Sequence, residues 1–198
     1  MATYYFNGAA ILAPFTIVSN EPVFDMTTVS LKTQRATQGH QRWELIFSVQ
    51  PTDGLIIDSL LGQLGSQDTT NSMIMPQLAT GNTVDSNVTV HSSANAGATL
   101  VQLEGTTVTG LLPKGSFVKF QNHDKVYITT ADVTFDNVVD PTVSIYPPLR
   151  SGVAASTNFH FLDACQITYF QSMDNATGIT FTDGVLANPG TITLIEAL

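Results

Sequence analysis

The four histidines are the side chains in this sequence best suited to acid–base chemistry or metal binding. His40, His91, His123 and His160 are widely separated. No two of them stand three or four positions apart, the spacing that would place two metal ligands on one helix face. His123 beside Asp124 comes nearest to a ligand pair, and a turn histidine between two strands is the favoured interpretation. The histidine spacing therefore predicts no metal site.

Three aspartates recur at intervals of four in the turn-rich segment 131–141, at Asp132, Asp136 and Asp140. Carboxylate oxygens are the ligands that calcium prefers, but the Asp-x-Asp-x-Asp-Gly density of a calcium loop is missing. A solvated hairpin is the favoured interpretation. Two carboxylates of a glycosidase need only meet in the fold, and nothing in the sequence selects such a pair.

Nucleophiles and phosphate loops give no stronger signal. Cys165 stands at the start of a predicted strand, where buried packing is favoured over nucleophilic chemistry. The sequence contains no Gly-x-Ser-x-Gly motif. Gly105, Gly110 and Gly115 fall between predicted strands rather than before a helix, so turns explain them. We predict no catalytic residue and no cofactor, and thus a protein that is not an enzyme.

Composition indicates a mainly β protein. Threonine, serine and valine are abundant and only 12% of the 198 residues are charged, which suits a pleated sheet solubilised by hydroxyls. A net charge of −9 argues against nucleic-acid binding and against an anionic membrane surface. The single cysteine excludes a disulfide framework. The N-terminus lacks the basic region of a signal peptide, and no stretch has the length of a membrane span, so we expect synthesis in a cytoplasm.

The clearest periodic signal is a strand in which every second residue is large and apolar. Its buried face would carry Trp43, Leu45, Phe47 and Val49, while Arg42 and Glu44 would be solvated or paired at an interface. A further strand is predicted at 23–31, followed by a polar, turn-prone segment at 34–39.

A helix is predicted at 53–64, directly after that strand. Thr52 is a suitable N-cap, and Ile57, Leu60, Leu61 and Leu64 form one apolar stripe. Gly65 stands where a left-handed C-cap is expected. This helix would pack on the sheet.

The remainder of the chain is predicted to consist of short strands. Residues 66–98 resemble a connector, and five closely spaced strands between 98 and 149 suggest a small barrel or sandwich. Longer strands return after 157 and would complete the sheet begun by the first segment. The predicted organisation is a discontinuous domain, 1–81 with 157–198, and an inserted domain, 82–156. The predicted later strands are 100–103, 108–111, 117–120, 126–130, 143–146, 158–162, 166–170, 179–181 and 192–195.

Three local patterns, in this order, resemble one known family. The first is QGHQRWEL at 38–45, followed by a strand, a proline and the predicted helix. The second is LLPKGSFVKF at 111–120 with KVY at 125–127 and IYPPLR at 145–150, and the third is PGTITLIEAL at 189–198. Together they are similar to the distal tail proteins, or baseplate hub proteins, of long-tailed bacteriophages.

The resemblance implies a tail-tube-like β-sandwich with one flanking helix, plus an inserted small β-barrel of the oligonucleotide-binding (OB) type. It also implies a structural virion protein of the tail tip or baseplate, in which six copies form a ring that continues the tail tube. The expected partners are further copies of the chain, the tail tube protein, and tail hub, tip or fibre proteins. DNA would only pass through the lumen, and an acidic lumen would repel its phosphates. No membrane partner is expected.

Two other classes of function stay open at this point. A carbohydrate-binding module contacting the host surface would need an exposed aromatic platform or an acidic cleft. A glycan-cleaving enzyme would need two carboxylates about 5–10 Å apart in a cleft.

Overall fold

The computed structural model describes residues 4–6, 8–27, 31, 33–37, 40–50, 70–77, 79–171, 180–182, 186–188 and 190–198. Over these ranges the protein is mainly β, as the composition predicted, and a single 3-10 turn at Leu162–Ala164 is the helical element described. The predicted helix at 53–64 lies outside the described residues. Within them, no helix has both the length and the apolar character needed to cross a membrane.

The chain divides into two compact units. The first combines Met1–Asn71 with Tyr169–Ala197, and the second comprises Ser72–Thr168 with Leu198. Both ends of the sequence thus contribute to the first unit, and the predicted insertion at 82–156 falls inside the second. In chain order the strands are β1 (Tyr5–Phe6), β2 (Ala9–Asn20), β3 (Val23–Thr27), β4 (Thr33–Thr37), β5 (Arg42–Val49), β6 (Asn71–Ile74), β7 (Val88–Thr89), β8 (Leu100–Gln102), β9 (Thr109–Leu112), β10 (Phe117–Phe120), β11 (Val126–Thr129), β12 (Val133–Asp136), β13 (Thr142–Tyr146), β14 (Asn158–Phe161), β15 (Gln166–Gln171), β16 (Thr180–Thr182), β17 (Leu186–Asn188) and β18 (Thr191–Glu196).

The first unit is organised around β5, at the centre of an antiparallel sheet. β5 pairs with β2 on one side and with β18 on the other, so the first and last segments of the chain share this sheet. The predicted alternation is confirmed, because every second residue of β5, from Trp43 to Val49, is buried. Phe6 contacts the Phe47 ring edge-on and Phe15 stacks on it, with ring centroids 5.2 and 5.5 Å away. Aromatic side chains thus fix the core of this sheet.

Two predictions in the first unit need correction. The strand predicted at 23–31 is described at Val23–Thr27, and Leu31 is an exposed bend residue rather than part of it, while 28–30 lie outside the described residues. The segment 34–39, predicted as a turn, instead contributes most of strand β4, which pairs with β3 along its whole length. Threonines at both ends of β4 favour extended backbone, and cross-strand pairing with β3 then decides the structure.

The second unit contains a curled antiparallel sheet in the order β7-β14-β10-β11-β13-β8. Its outer strands are joined by an antiparallel bridge between Val90 and Leu103. The Glu104 N–H donates to the Thr89 carbonyl at 2.8 Å on the same seam. Inside the curl lies a continuous apolar core: Val88, Val90, Val101, Leu103, Val108, Leu112, Val118, Phe120, Tyr127, Val133, Phe135, Val143, Ile145, Leu149, Val153 and Phe159.

A two-stranded sheet, β9 with β12, also contributes to this core. The segment 131–141 was predicted as a turn-rich solvated hairpin, and the strand β12 within it is a correction. Its alternate residues Val133 and Phe135 are buried, which is the burial pattern of a strand with one face on a core.

Candidate functional site

An exposed hairpin is the most distinctive surface of the first unit. β3 and β4 form a separate two-stranded sheet, which we call the apolar hairpin. Phe24 and Met26 lie on one face and are 66% and 67% exposed. Their cross-strand partners are Ala36 and Gln34. An isolated two-stranded sheet is only marginally stable in water, and exposed apolar clusters mark interaction surfaces. The apolar hairpin is therefore a candidate docking surface.

The charge of this segment differs in sign from that of the chain. Residues 23–37 contain Asp25, Lys32 and Arg35, a net charge of +1. The rest of the chain therefore carries a net charge of −10, which together with this +1 gives the total of −9. Asp25 and Arg35 are direct cross-strand partners. The segment is therefore weakly basic in sequence, while the rest of the chain is acidic.

The second unit brings together one histidine and two carboxylates at the seam of its curled sheet. His91 follows β7, Glu104 follows β8, and Asp140 precedes β13. The Nδ1 atom of His91 lies 3.0 Å from Glu104 Oε2 and 3.0 Å from Asp140 Oδ2. One ligand atom from each of the three residues falls within 4.8 Å of the others. We call this group the seam cluster.

In each carboxylate, the oxygen that does not contact His91 accepts a hydrogen bond from another donor. Glu104 Oε1 accepts a hydrogen bond from the Thr106 hydroxyl at 2.6 Å, and Asp140 Oδ1 accepts one from the Gly105 N–H at 2.8 Å. The hydrogen bond from Thr106, together with that to His91, lowers the pKa of Glu104. Hydrogen bonding to Glu104 raises the pKa of His91, and the charges of Asp140 and Glu104 act in the same direction. The cluster is thus an anionic site with an imidazole between two oriented carboxylates.

The sequence spacing did not indicate this grouping. Of the three regularly spaced aspartates, only Asp140 belongs to it. Asp132 accepts a hydrogen bond from the Lys114 N–H, and Asp136 accepts two, from the N–H groups of Val138 and Val139. The periodicity of four therefore reflects turn capping rather than a shared site. The seam cluster follows from the bridge between Val90 and Leu103, the residues next to His91 and Glu104, and no local pattern in the sequence reveals that bridge.

His123 is buried rather than a ligand. Its Nδ1 atom lies 2.8 Å from the Tyr127 hydroxyl, and its Nε2 atom lies 2.8 Å from the Ser151 hydroxyl. The Tyr127 oxygen also accepts a hydrogen bond from the Arg150 N–H. Burial lowers the pKa of His123. The network fastens the turn after β10 to the loop after β13, in agreement with the predicted turn histidine.

The contact between Ser151 and His123 also has the geometry of a nucleophile and its base. It lies in a cavity of about 280 Å³ that Lys125, Arg150 and Leu198 also line. The orienting partner on Nδ1 is the hydroxyl of Tyr127 rather than a carboxylate. Serine and histidine are 28 positions apart, so no sequence motif links them.

The remaining histidines lie elsewhere. His160 borders a cavity of about 540 Å³ together with Asp85, Asn87 and Phe161. Burial lowers the pKa of His160, and the positive charge of Lys119 acts in the same direction. His40 is exposed.

Other predicted positions are accounted for by packing. Cys165 is buried, as predicted, and its carbonyl accepts a hydrogen bond from the Met75 N–H at 2.8 Å. Gly110 has φ +121°, and a Cβ there would lie 2.3 Å from the Thr83 carbonyl oxygen. Backbone geometry and close approach therefore explain this glycine without a phosphate ligand.

Comparison of the sequence with models of known protein families gives no match, and comparison with curated proteins gives none either.

Proposed function

We propose that the chain is a structural subunit of a bacteriophage tail tip or baseplate, and that it assembles into a ring that continues the tail tube. In this proposal the ring has six copies, as the family resemblance implies. Its partners are neighbouring copies, the tail tube protein, and tail hub, tip or fibre proteins. The proposed role is assembly rather than catalysis.

The observation that carries the proposal is the apolar hairpin. Its exposed Phe24 and Met26 require a partner surface if they are to leave water. The segment is weakly basic and the rest of the chain acidic, so the complementary surface is a different part of another copy. Such a head-to-tail contact is heterologous, and a heterologous contact that closes generates a ring.

The organisation of the chain supports the same proposal. The first unit is formed by two segments, Met1–Asn71 and Tyr169–Ala197, and most of the second unit is formed by the segment between them in the sequence, Ser72–Thr168. We propose that the first is a tail-tube-like sandwich and that the curled sheet of the second is an OB-like barrel used as a protein module. The excess of carboxylates would then line the lumen and repel passing DNA.

The experiment is a mass measurement of the purified protein over a wide concentration range, with negative-stain imaging of the same samples. Closed rings are expected for the wild type. The double variant Phe24→Ser/Met26→Ser should remain monomeric at concentrations where the wild type forms rings. The matched control is Val138→Ser/Val139→Ser, which removes two equally exposed apolar side chains from the second unit. Rings that persist in the hairpin variant, or a wild type that is monomeric throughout, would overturn the proposal.

A second candidate function is carbohydrate binding at the cavity beside His160. This cavity combines a carboxylate, an amide and an aromatic ring, from Asp85, Asn87 and Phe161. Hydrogen bonds from the backbone and hydroxyl of Thr109 lower the pKa of Asp85, so its carboxylate is charged at neutral pH. Glycan-array binding by the full chain that Asn87→Ala abolishes would favour this function. Equal binding by the wild type and the variant would exclude this cavity as the site.

A further inference from the structure

We propose that the seam cluster, His91 with Glu104 and Asp140, is a binding site for a divalent transition-metal ion such as Zn²⁺. This inference does not depend on the proposed function. It rests on the donor set, on the separations between the donors, and on the place of the cluster in the fold.

The donor set suits such an ion. One imidazole nitrogen and two carboxylate oxygens are ligands that Zn²⁺ commonly takes, and they carry two negative charges toward a dication. Each residue comes from a different segment of the second unit, so the set is assembled only when the unit is folded. The His91 side chain is 43% exposed, which leaves an entry path from solvent.

The separations fit a coordination sphere. Two ligands that each lie about 2.1 Å from a Zn²⁺ ion, at angles of about 90–109°, are about 3.0–3.4 Å apart. His91 Nδ1 lies 3.0 Å from both Glu104 Oε2 and Asp140 Oδ2. These two separations are therefore compatible with one shared ion, and the two carboxylate oxygens lie within 4.8 Å of each other.

Neighbouring hydrogen-bond donors orient the two carboxylates, as donors next to metal ligands do in known metal sites. The hydroxyl of Thr106 and the N–H of Gly105 each hold the second oxygen of one carboxylate. The remaining oxygens are thereby aimed at His91. Gly105 has no space for a side chain, since a Cβ would lie 2.4 Å from Pro141 Cδ. This close packing keeps the N–H of Gly105 next to Asp140.

The location gives the ion a structural role. His91 and Glu104 directly follow Val90 and Leu103, the bridge that joins the two outer strands of the curled sheet. An ion held by both residues would lock this seam. Because the unfolded chain does not hold the three ligands together, binding would raise the stability of the folded state.

The test is isothermal titration of the untagged full chain with ZnCl₂, repeated with MnCl₂ and CaCl₂. We expect one Zn²⁺ per chain in the wild type. The isosteric variants Glu104→Gln and Asp140→Asn should each weaken binding at least tenfold, and His91→Ala should abolish it. The matched control His40→Ala removes an exposed histidine outside the cluster and should bind as the wild type does.

A second measurement separates binding from misfolding. Zn²⁺ should raise the thermal midpoint of the wild type and of His40→Ala, should raise that of Glu104→Gln less at the same Zn²⁺ concentration, and should leave that of His91→Ala unchanged. Circular dichroism without metal checks that all variants are folded. If the wild type binds no Zn²⁺, or if the cluster variants bind it with the wild-type affinity, the site is refuted. The cluster would then be an ion pair in which the proton on His91 is the only bound cation.

Discussion

Two small β-sheets of this protein have the same two-stranded form and different surroundings. β3 with β4 and β9 with β12 are each two-stranded and antiparallel. In β12, Val133 and Phe135 are buried in the core of the second unit, while the residues between them are exposed. In β3 every residue is exposed, including Phe24 and Met26. A phenylalanine at the third position of one strand is thus 3% exposed, and one at the second position of the other is 66% exposed.

The difference shows that alternation alone does not make a strand part of a core. Strand β12 packs because Val133 and Phe135, together with Leu112 of its partner β9, belong to the apolar core of the second unit. In the apolar hairpin, by contrast, Phe24 and Met26 stay exposed to solvent in the single chain. The same substitution should therefore lower the free energy of unfolding strongly at the buried position and hardly at all at the exposed one.

The largest effect is expected for Phe135→Ala. This substitution removes a buried aromatic side chain and leaves a cavity, which costs about 3–5 kcal/mol of the free energy of unfolding. Urea unfolding followed by far-ultraviolet circular dichroism measures the loss. The control Thr134→Ala changes an exposed residue of the same strand and should shift the free energy by less than about 0.5 kcal/mol. Equal losses in the two variants would show that β12 is not packed as described.

A slightly smaller effect is expected for Gly110→Ala in β9. The left-handed φ of +121° strains any residue with a Cβ, and that Cβ would meet the Thr83 carbonyl oxygen. Strain and overpacking together cost about 2–4 kcal/mol after partial relaxation.

Gly81→Ala is the matched control for this glycine. Gly81 also has a positive φ, of +95°, but a Cβ there has no neighbour within 4 Å. The control isolates backbone strain, about 1 kcal/mol. If Gly110→Ala is no more destabilising than Gly81→Ala in the same urea titration, the close approach of β9 to Thr83 is wrong.

The sequence predicted those elements whose own residues fix their structure. Strand β5 was predictable because four large apolar side chains alternate, and the burial of Cys165 was predicted from its position at the start of a predicted strand. Strand β4 was missed because its sequence is polar, and strand β12 because turn residues flank its alternating Val133 and Phe135. In both strands cross-strand pairing decides the structure.

The seam cluster was not predictable for a related reason. His91 and Glu104 are brought together by the bridge between Val90 and Leu103, which the spacing of residues along the chain does not indicate. The even spacing of the aspartates, in contrast, suggested a shared site that the structure does not form. The features that the sequence did not predict are therefore those that depend on long-range strand pairing.

A moderate effect is expected from pH, because burial lowers the pKa of both His123 and His160. The unfolded chain, in which histidine has a pKa of about 6.5, then binds the protons more tightly than the folded chain does. The contribution of these two histidines to the free energy of unfolding should be fully present above about pH 6.5 and should be lost as the pH drops below it, whereas the raised pKa of His91 contributes in the opposite direction.

Urea titrations at several pH values measure this dependence. His123→Gln should flatten the slope below pH 6.5, and His160→Gln, which keeps His123, should retain part of it. A slope that neither variant changes would contradict the buried placement of these two imidazoles.

The smallest effect on stability is expected for Phe24→Ala, the counterpart of Phe135→Ala. Because Phe24 is exposed in the single chain, its truncation should change the free energy of unfolding by less than about 0.5 kcal/mol. The measurement is urea unfolding of dilute, monomeric protein, followed by the fluorescence of the single tryptophan, Trp43, which is buried in the first unit. A loss of about 2 kcal/mol or more would mean that the apolar hairpin is already packed within one chain. It would then have no apolar face to offer a second copy, and the difference between the two small sheets would vanish.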